Sequence, residues 1–287
     1  MPVSAGGSRL RELRLASGRS QLWVEAEADL GTGYLQRLES GRVAQPERVT
    51  VERVLDALGA PYSQRREVLG LFGYTSAARL PSEADLAWAR ATARRELQAF
   101  PFPAYVLDCA HRLVDWNTGV PRVFGMTEAG LRARLAGRSL LAAWFDPLSR
   151  LRSLLVEPGV FLPALIRALR YEMQTFQDAP WYADVLDALF ELPTFRQFWQ
   201  VVERETPPAG AARALVPLRL RVAGAGLLQF RLSAETFTRD ARFRLVYYFP
   251  ADPPTMCWVS GAGFGSDDAG GGGRDSGFDA SDGAAAL

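Results

Sequence analysis

The stretch Ser20 to Arg42, reading SQLWVEAEADLGTGYLQRLESGR, limits the fold of this chain more than any other. The Ser20 hydroxyl can accept from a free backbone N–H in a helix's first turn, so a helix opens at Gln21. Val24 and Ala28 lie on one face of it. The pattern breaks at Asp29 to Gly31 and restarts at Thr32, with Leu35 and Leu38 spaced for burial and Gln36 and Arg37 left outside. Two short helices around a tight turn, the second polar on its outer side, form a unit that offers side chains to a major groove.

The rest of the chain sets the limits on that reading. With 287 residues there is material for one large or two ordinary domains. Apolar residues are 48% and charged residues 23%, the balance of an ordinary globular protein. The net charge of +1 gives no global basic field, yet a small DNA-binding head on a neutral body averages to the same value. Every basic side chain is arginine, which we attribute to the codon bias of a GC-rich genome. Two cysteines, Cys109 and Cys257, imply no oxidising compartment. No signal pattern opens the chain and no apolar run is long enough to span a bilayer, so a cytoplasmic location is expected.

The pattern around the central unit predicts a small all-α domain of about five helices. Leu10 and Leu13 mark a first amphipathic helix ending at Gly18. Val51, Val54, Leu55 and Leu58 fall on one face of a helix closed by Gly59, and Val68, Leu69 and Phe72 serve a helix over Ser63 to Phe72.

The segment Ser8 to Tyr74 resembles the lambda-repressor-like (XRE-type) helix-turn-helix family. The resemblance rests on Ser20-Gln21, the turn at Asp29 to Gly31, Tyr34-Leu35 and the string Arg37-Leu38-Glu39-Ser40-Gly41-Arg42. It implies that Gln21 holds a phosphate, that Thr32, Gly33, Gln36 and Arg37 face base edges, and that Arg42 and Arg48 add phosphate contacts. Arg37 is the expected reading residue, because its forked donors match guanine O6 and N7. The sequence departs from the family at Trp23, where the acidic half of a capping box is absent, and at Glu25, where a small buried residue is usual. A helical hairpin used only for protein contact is the competing reading.

Ser82 to Gln98, bounded by Pro81 and Pro101, carries Leu86, Ala89, Ala93 and Leu97 on one side and reads as a connecting helix. It is either a passive spacer or a link between domains. At Phe102 the pattern turns to strands: Ala104 to Leu107 and Leu113 to Trp116, then a largely helical stretch, then Leu215 to Val222, Leu227 to Ser233 and Phe243 to Phe249. Glycines in Ala223 to Gly226 suit a tight hairpin. This order predicts a PAS-like α+β body, a five-stranded antiparallel sheet with helices on one face, following the all-α head. The boundaries are 1–79 for the head, 80–101 for the connecting helix, 102–258 for the body and 259–287 for a disordered Gly/Asp/Ala-rich tail.

The body resembles the ligand-binding domain of MmyB-like regulators, which join an XRE-type head to a PAS-like body. Pro103-Ala104-Tyr105-Val106-Leu107-Asp108, Val114-Asp115-Trp116-Asn117, Leu169-Arg170, Phe195 with Trp199, and Leu245-Val246-Tyr247-Tyr248 carry the likeness. It implies a small-molecule sensor. The residues themselves suggest an apolar pocket lined by Trp116, Phe124, Trp144, Phe161, Leu165, Phe195 and Trp199, with Asn117, Arg122 and Arg170 as polar anchors. An arginine there suits a carboxylate, so the expected ligand is an elongated apolar acid such as a fatty acid. The same aromatics could simply be core.

Nothing in the sequence builds a catalytic or metal centre. His111 is the single histidine and reads as an ordinary surface side chain in a hairpin loop, beside Cys109 and between solvated Asp108 and Asp115. Gly270 to Gly273 follows no strand and opens no helix, so it is no phosphate loop. No cofactor is implied beyond a bound apolar molecule. The sequence is best read as a homodimeric regulator of double-stranded DNA at a two-fold operator, switched by that ligand. A body that dimerises or binds a partner protein without any ligand is the alternative, and an enzyme comes third.

Overall fold

The computed structural model describes residues 4–75, 78–204 and 215–261. The head is five helices: α1 (Ala5–Ala16), α2 (Gln21–Glu27), α3 (Tyr34–Glu39), α4 (Arg48–Ala57) and α5 (Tyr62–Leu71). Their apolar stripes close one core of Leu10, Leu13, Val24, Ala28, Leu35, Leu38, Val51, Val54, Leu55, Val68, Leu69 and Phe72. These are the positions that helical spacing selects. Helix α1 lies so close to α3 that a Cβ on Gly7 would sit 2.3 Å from the Leu38 carbonyl oxygen, so that crossing needs glycine.

The body is built on a five-stranded antiparallel sheet of β1 (Ala104–Asp108), β2 (Leu113–Trp116), β3 (Val216–Val222), β4 (Gly226–Thr236) and β5 (Phe243–Pro250). Their order is β2-β1-β5-β4-β3, which brings the last strand beside the first, with Tyr105 opposite Val246. Gly224 and Gly226, both at φ +76°, turn β3 into β4. One face carries the helical block α7 (Gly119–Val123), α8 (Glu128–Leu135), α9 (Leu140–Phe145), α10 (Arg150–Leu154), α11 (Pro158–Met173), α12 (Pro180–Phe190) and α13 (Pro193–Glu203). Tyr105, Leu218, Leu220, Phe230, Val246 and Tyr248 face this block.

The connecting helix α6 (Glu83–Ala99) takes the other face. Its Ala89, Ala93 and Leu97 pack on Ala104, Val106, Val114, Phe243, Leu245 and Tyr247. Small residues four apart let the helix lie close on the strands. With both faces covered, β1 is buried along its whole length. Ser82 caps α6 in a complete capping box with Asp85.

Besides α6 on the second face of a sheet expected to carry helices on one, two features differ from expectation. Helix α14 (Pro253–Ser260) is one the sequence reading did not anticipate. Proline suits a first turn, and Asp252 caps the Thr255 N–H at 2.8 Å. Val259 is buried in the body core, so the expected tail overlaps this helix, and from residue 262 onward it lies outside the described residues. Gly270 to Gly273 lies outside them too.

The β1–β2 loop is also a correction. Neither Asp108 nor His111 is on the surface: they are 0% and 5% exposed. The Asp108 carboxylate accepts from the Ala110 and Arg112 backbone N–H groups and from the Arg112 side chain at 2.6 Å, which ties the loop. Backbone bonds from Leu113 N–H to the Arg138 carbonyl and from Leu140 N–H to the His111 carbonyl fold the loop under the helical block. His111, at φ +60°, accepts at Nδ1 from Arg244 Nη2. Burial, with the adjacent Arg244 charge, holds its pKa well below the ordinary histidine value. Burial likewise pushes the Cys109 thiol up to about 12, so it is no reactive thiolate.

Candidate DNA-reading face and ligand-binding body

The candidate DNA-reading face begins with Ser20, whose Oγ accepts from the Trp23 N–H at 3.1 Å and opens α2. The turn that follows passes through Asp29 at φ +51° and Gly33 at φ +79°. Helix α3 therefore starts at Tyr34 rather than Thr32, because Gly33 occupies the capping position in a left-handed conformation that glycine adopts without strain. A glycine has no side chain to cap with. Glu25 supplies the missing acceptor from α2: its buried carboxylate takes the Gly33 N–H at 3.1 Å and the Leu35 N–H at 2.8 Å. A negative charge at that helix start also suits the helix dipole. Thus the residue that departs from the family pattern organises the helix that would read DNA.

The far end of α3 is held as firmly. Arg14 from α1 grips Glu39 with two bonds of 2.6 and 2.9 Å, both partners buried. Gln21 Nε2 donates to the same carboxylate at 2.7 Å, which fixes the start of α2 to the end of α3. Between these clamps Thr32, Gln36 and Arg37 are exposed, and Leu35 and Leu38 are buried beneath them. Arg37 lies over the Tyr34 ring at 5.7 Å, and exposed Arg42 follows at the end of the next turn. Gln21, Thr32, Gly33, Gln36, Arg37 and Arg42 thus belong to one local unit. Arg48 stands apart: it pairs with Glu52 at 3.0 Å and lines a cleft of about 1010 Å³ between head and body. Glu25, Glu39 and Arg14 were missed as positioning residues, although a charge inside an apolar helical stripe is the signal that could have found them.

In the body, the named aromatics form two groups. Phe124, Trp144 and Phe161 make edge-to-face contacts at 5.8 and 5.2 Å, and Phe124 also meets Tyr105 and Tyr248. Phe195 stacks with Phe145, Phe190 and Trp199 at 5.0 to 5.5 Å between α9, α12 and α13. Leu165 is half-buried against this core. Inside it the Tyr105 and Tyr248 hydroxyls face each other at 3.5 Å, a polar pair that sequence reading did not mark. Burial raises the Tyr248 pKa well above its ordinary value, so the phenol stays protonated.

A family model for the MmyB-like transcription regulator ligand binding domain matches residues 89–257, more than half of the chain, and a helix-turn-helix domain model matches residues 7–68. The chain belongs to the MmyB-like transcription regulators. It is a DNA-binding transcription regulator with a ligand-binding domain. No curated protein matches it.

In this MmyB-like regulator the three polar residues named as anchors have partners of their own. Asn117 Oδ1 accepts from Ala104 and Gly119 N–H at 3.1 Å each, while Nδ2 donates to the Phe102 and Phe100 carbonyls, so all its bonding capacity ties the chain around β1. Arg122 lies over the Trp258 ring at 4.7 Å and donates to the Trp258 carbonyl. Arg170, exposed, lies over Trp199 at 5.6 Å and donates to the Val202 carbonyl. Trp116 donates to Glu128 at 2.9 Å under the Arg132 guanidinium. Among the described residues no group of three His, Cys, Asp or Glu side chains could hold a metal ion, and no helix is long and apolar enough to cross a membrane.

Proposed function

We propose that this regulator is a cytoplasmic homodimer that reads a two-fold DNA site through α3 and responds to an elongated apolar acid bound in the helical block. The DNA part rests on Gln36 and Arg37, exposed on a helix whose two ends are clamped by buried carboxylates, with exposed Thr32 in the turn before it. Rigid presentation lowers the entropy lost on binding. Arg37 reads guanine, Gln36 and Thr32 contact neighbouring base edges, Gly33 lets the backbone come close, and Gln21, Arg42 and Arg48 hold phosphates. One six-residue helix reads few bases, so paired heads supply the specificity.

For the body, the supporting observation is the aromatic cluster that α9, α11 and α13 contribute, with Arg170 stacked on Trp199. We place an apolar chain along Phe124, Trp144, Phe161, Leu165, Phe195 and Trp199, its carboxylate at Arg170, with Trp116, Asn117 and Arg122 shaping the near wall. A ligand that favours one conformer of the body would shift how two heads are spaced. A second reading has its own observation: these rings pack on one another at normal edge-to-face distances, as they would in a ligand-free scaffold for a partner. Native mass spectrometry of the purified full chain, compared with the same sample denatured, separates the two. A dimer whose extra mass is released as an organic acid supports the sensor. A clean mass together with no thermal stabilisation by any apolar acid supports the scaffold.

A further inference from the structure

Arg242 sits at the start of β5, is 3% exposed, and touches four separate parts of the molecule. Within its own loop it grips Asp240, with Nη2 at 2.8 Å from Oδ2 and Nε at 3.1 Å from Oδ1. The same Nη2 is 3.1 Å from Asp85 Oδ1, while the other Asp85 oxygen completes the capping box of α6. Its Nη1 donates to the Arg79 carbonyl at 3.3 Å, in the segment that joins head to body. Its guanidinium lies 4.2 Å from the centre of the Tyr62 ring, in α5 of the head.

These contacts make one junction. Tyr62 belongs to the head but packs against the core of the body, and burial raises its pKa. Beside it Trp181 of α12 donates to the Ala78 carbonyl at 2.7 Å, and Ala78 is itself buried in the body core. The joining segment is thus held to the body by two side chains, and the head by the Tyr62 ring. Arginine suits this place because its planar fork can serve two carboxylates and a carbonyl while a ring stacks on its face, which lysine cannot do. A charge this deeply buried persists only where every donor has a use. Two residues further on, β5 delivers Arg244 to His111, and its Val246 and Tyr248 face the aromatic block.

We propose that Arg242, through Tyr62, is the positioning residue that sets the DNA-binding head in one fixed place on the ligand-binding body. Strand β5 then joins the head's docking point to the lining of the helical block without passing through a flexible loop. The docking does not depend on which ligand the body takes, or on whether it takes one.

The test uses the full chain with two spin labels, one on native Cys257, which is exposed, and one on Leu15→Cys at the exposed end of α1. Buried Cys109 stays a protonated thiol and escapes the label. Double electron–electron resonance on this protein, diluted with excess unlabelled Cys257→Ser chain so that each labelled chain pairs with an unlabelled one, should give one narrow distance peak. Tyr62→Leu, which removes the ring that Arg242 stacks on, should replace that peak by a broad distribution, and Tyr62→Phe, which keeps the ring, should preserve it. Arg242→Met should behave as Tyr62→Leu does, read alongside circular dichroism because removing it strips the buried Asp240 and half-buried Asp85 carboxylates of a shared partner. Selection from a random DNA library supplies a readout that stability alone does not move: wild type and Tyr62→Phe should enrich sites of one half-site spacing, and Tyr62→Leu sites of several. A broad distribution in the wild type, or a peak unchanged in Tyr62→Leu, overturns the proposal. Either result leaves the ligand reading standing, since that is judged by the mass of a bound acid.

Discussion

At the scale of single residues, the groups that decide behaviour are those whose charge the fold constrains. Arg37 is exposed and, among the described residues, rests on the Tyr34 ring, so its guanidinium can turn to a base edge. Arg37→Ala should cost about 1–3 kcal/mol of discrimination at one base position. Arg42→Gln should instead weaken binding to all sequences and reduce the salt slope by about 1. Selection from a random DNA library together with salt titrations checks both, and an unchanged preference in Arg37→Ala would remove it as the reading residue. His111 makes a different prediction. The fold holds it neutral, with a pKa below the ordinary 6.5, so below that pH the unfolded chain binds a proton that the native protein does not. Stability from this group is complete above pH 6.5 and falls as the pH drops from there toward the depressed native value, by at most about 1.4 kcal/mol per pH unit. Urea denaturation of the wild type at a series of pH values should show that slope. His111→Gln, which keeps an acceptor for Arg244, should flatten it.

At the scale of elements, the sequence was most legible where one helix or strand answers to its own periodicity. Leu35 and Leu38, Val51 with Val54 and Leu55, and the alternation of Leu218, Leu220 and Val222 all have the burial that their spacing implies. It was least legible where a side chain serves another element. Glu25 looked like a misplaced charge in α2, because the N–H groups that it caps belong to α3, eight and ten residues on. Asp108 and His111 looked exposed, because the segment that buries them starts near Arg138. Helix α14 went unread as well, and its cap Asp252 also serves another element, accepting from Gln229 of β4. Glu25→Ala would therefore leave two N–H groups of α3 without an acceptor and should destabilise the head by about 1–3 kcal/mol. Amide hydrogen exchange should show faster exchange in α3 and neighbouring head helices, with the body sheet unchanged. Glu25→Gln retains an acceptor and should show a smaller effect; equal exchange in all three proteins would deny Glu25 its capping role.

At the scale of the whole molecule, the order of elements carried the reading. Five helices, a connecting helix, two strands, a helical block and three strands led to an all-α head followed by a five-stranded antiparallel sheet; the strand order β2-β1-β5-β4-β3, with the last strand beside the first, comes from the structure. Which side chains line a ligand site was less legible, since a residue type does not reveal its partner: Asn117 was named as an anchor but ties four backbone groups of its own domain. The sensor reading is consequently best tested by chain length rather than by a single anchor. If an acid lies along Phe124, Trp144, Phe161, Leu165, Phe195 and Trp199, each methylene it buries contributes about 0.8 kcal/mol, roughly a fourfold gain in affinity. Straight-chain acids of increasing length should raise the melting temperature in regular steps until the chain outgrows the block, where the steps stop. Trp144→Ala should cost about 3–5 kcal/mol of stability in either reading, because it empties a packed position. Only in a sensor should it also change the length at which the steps stop, since a chain could then occupy the vacated space. A series with no steps in the wild type would leave the helical block as a scaffold.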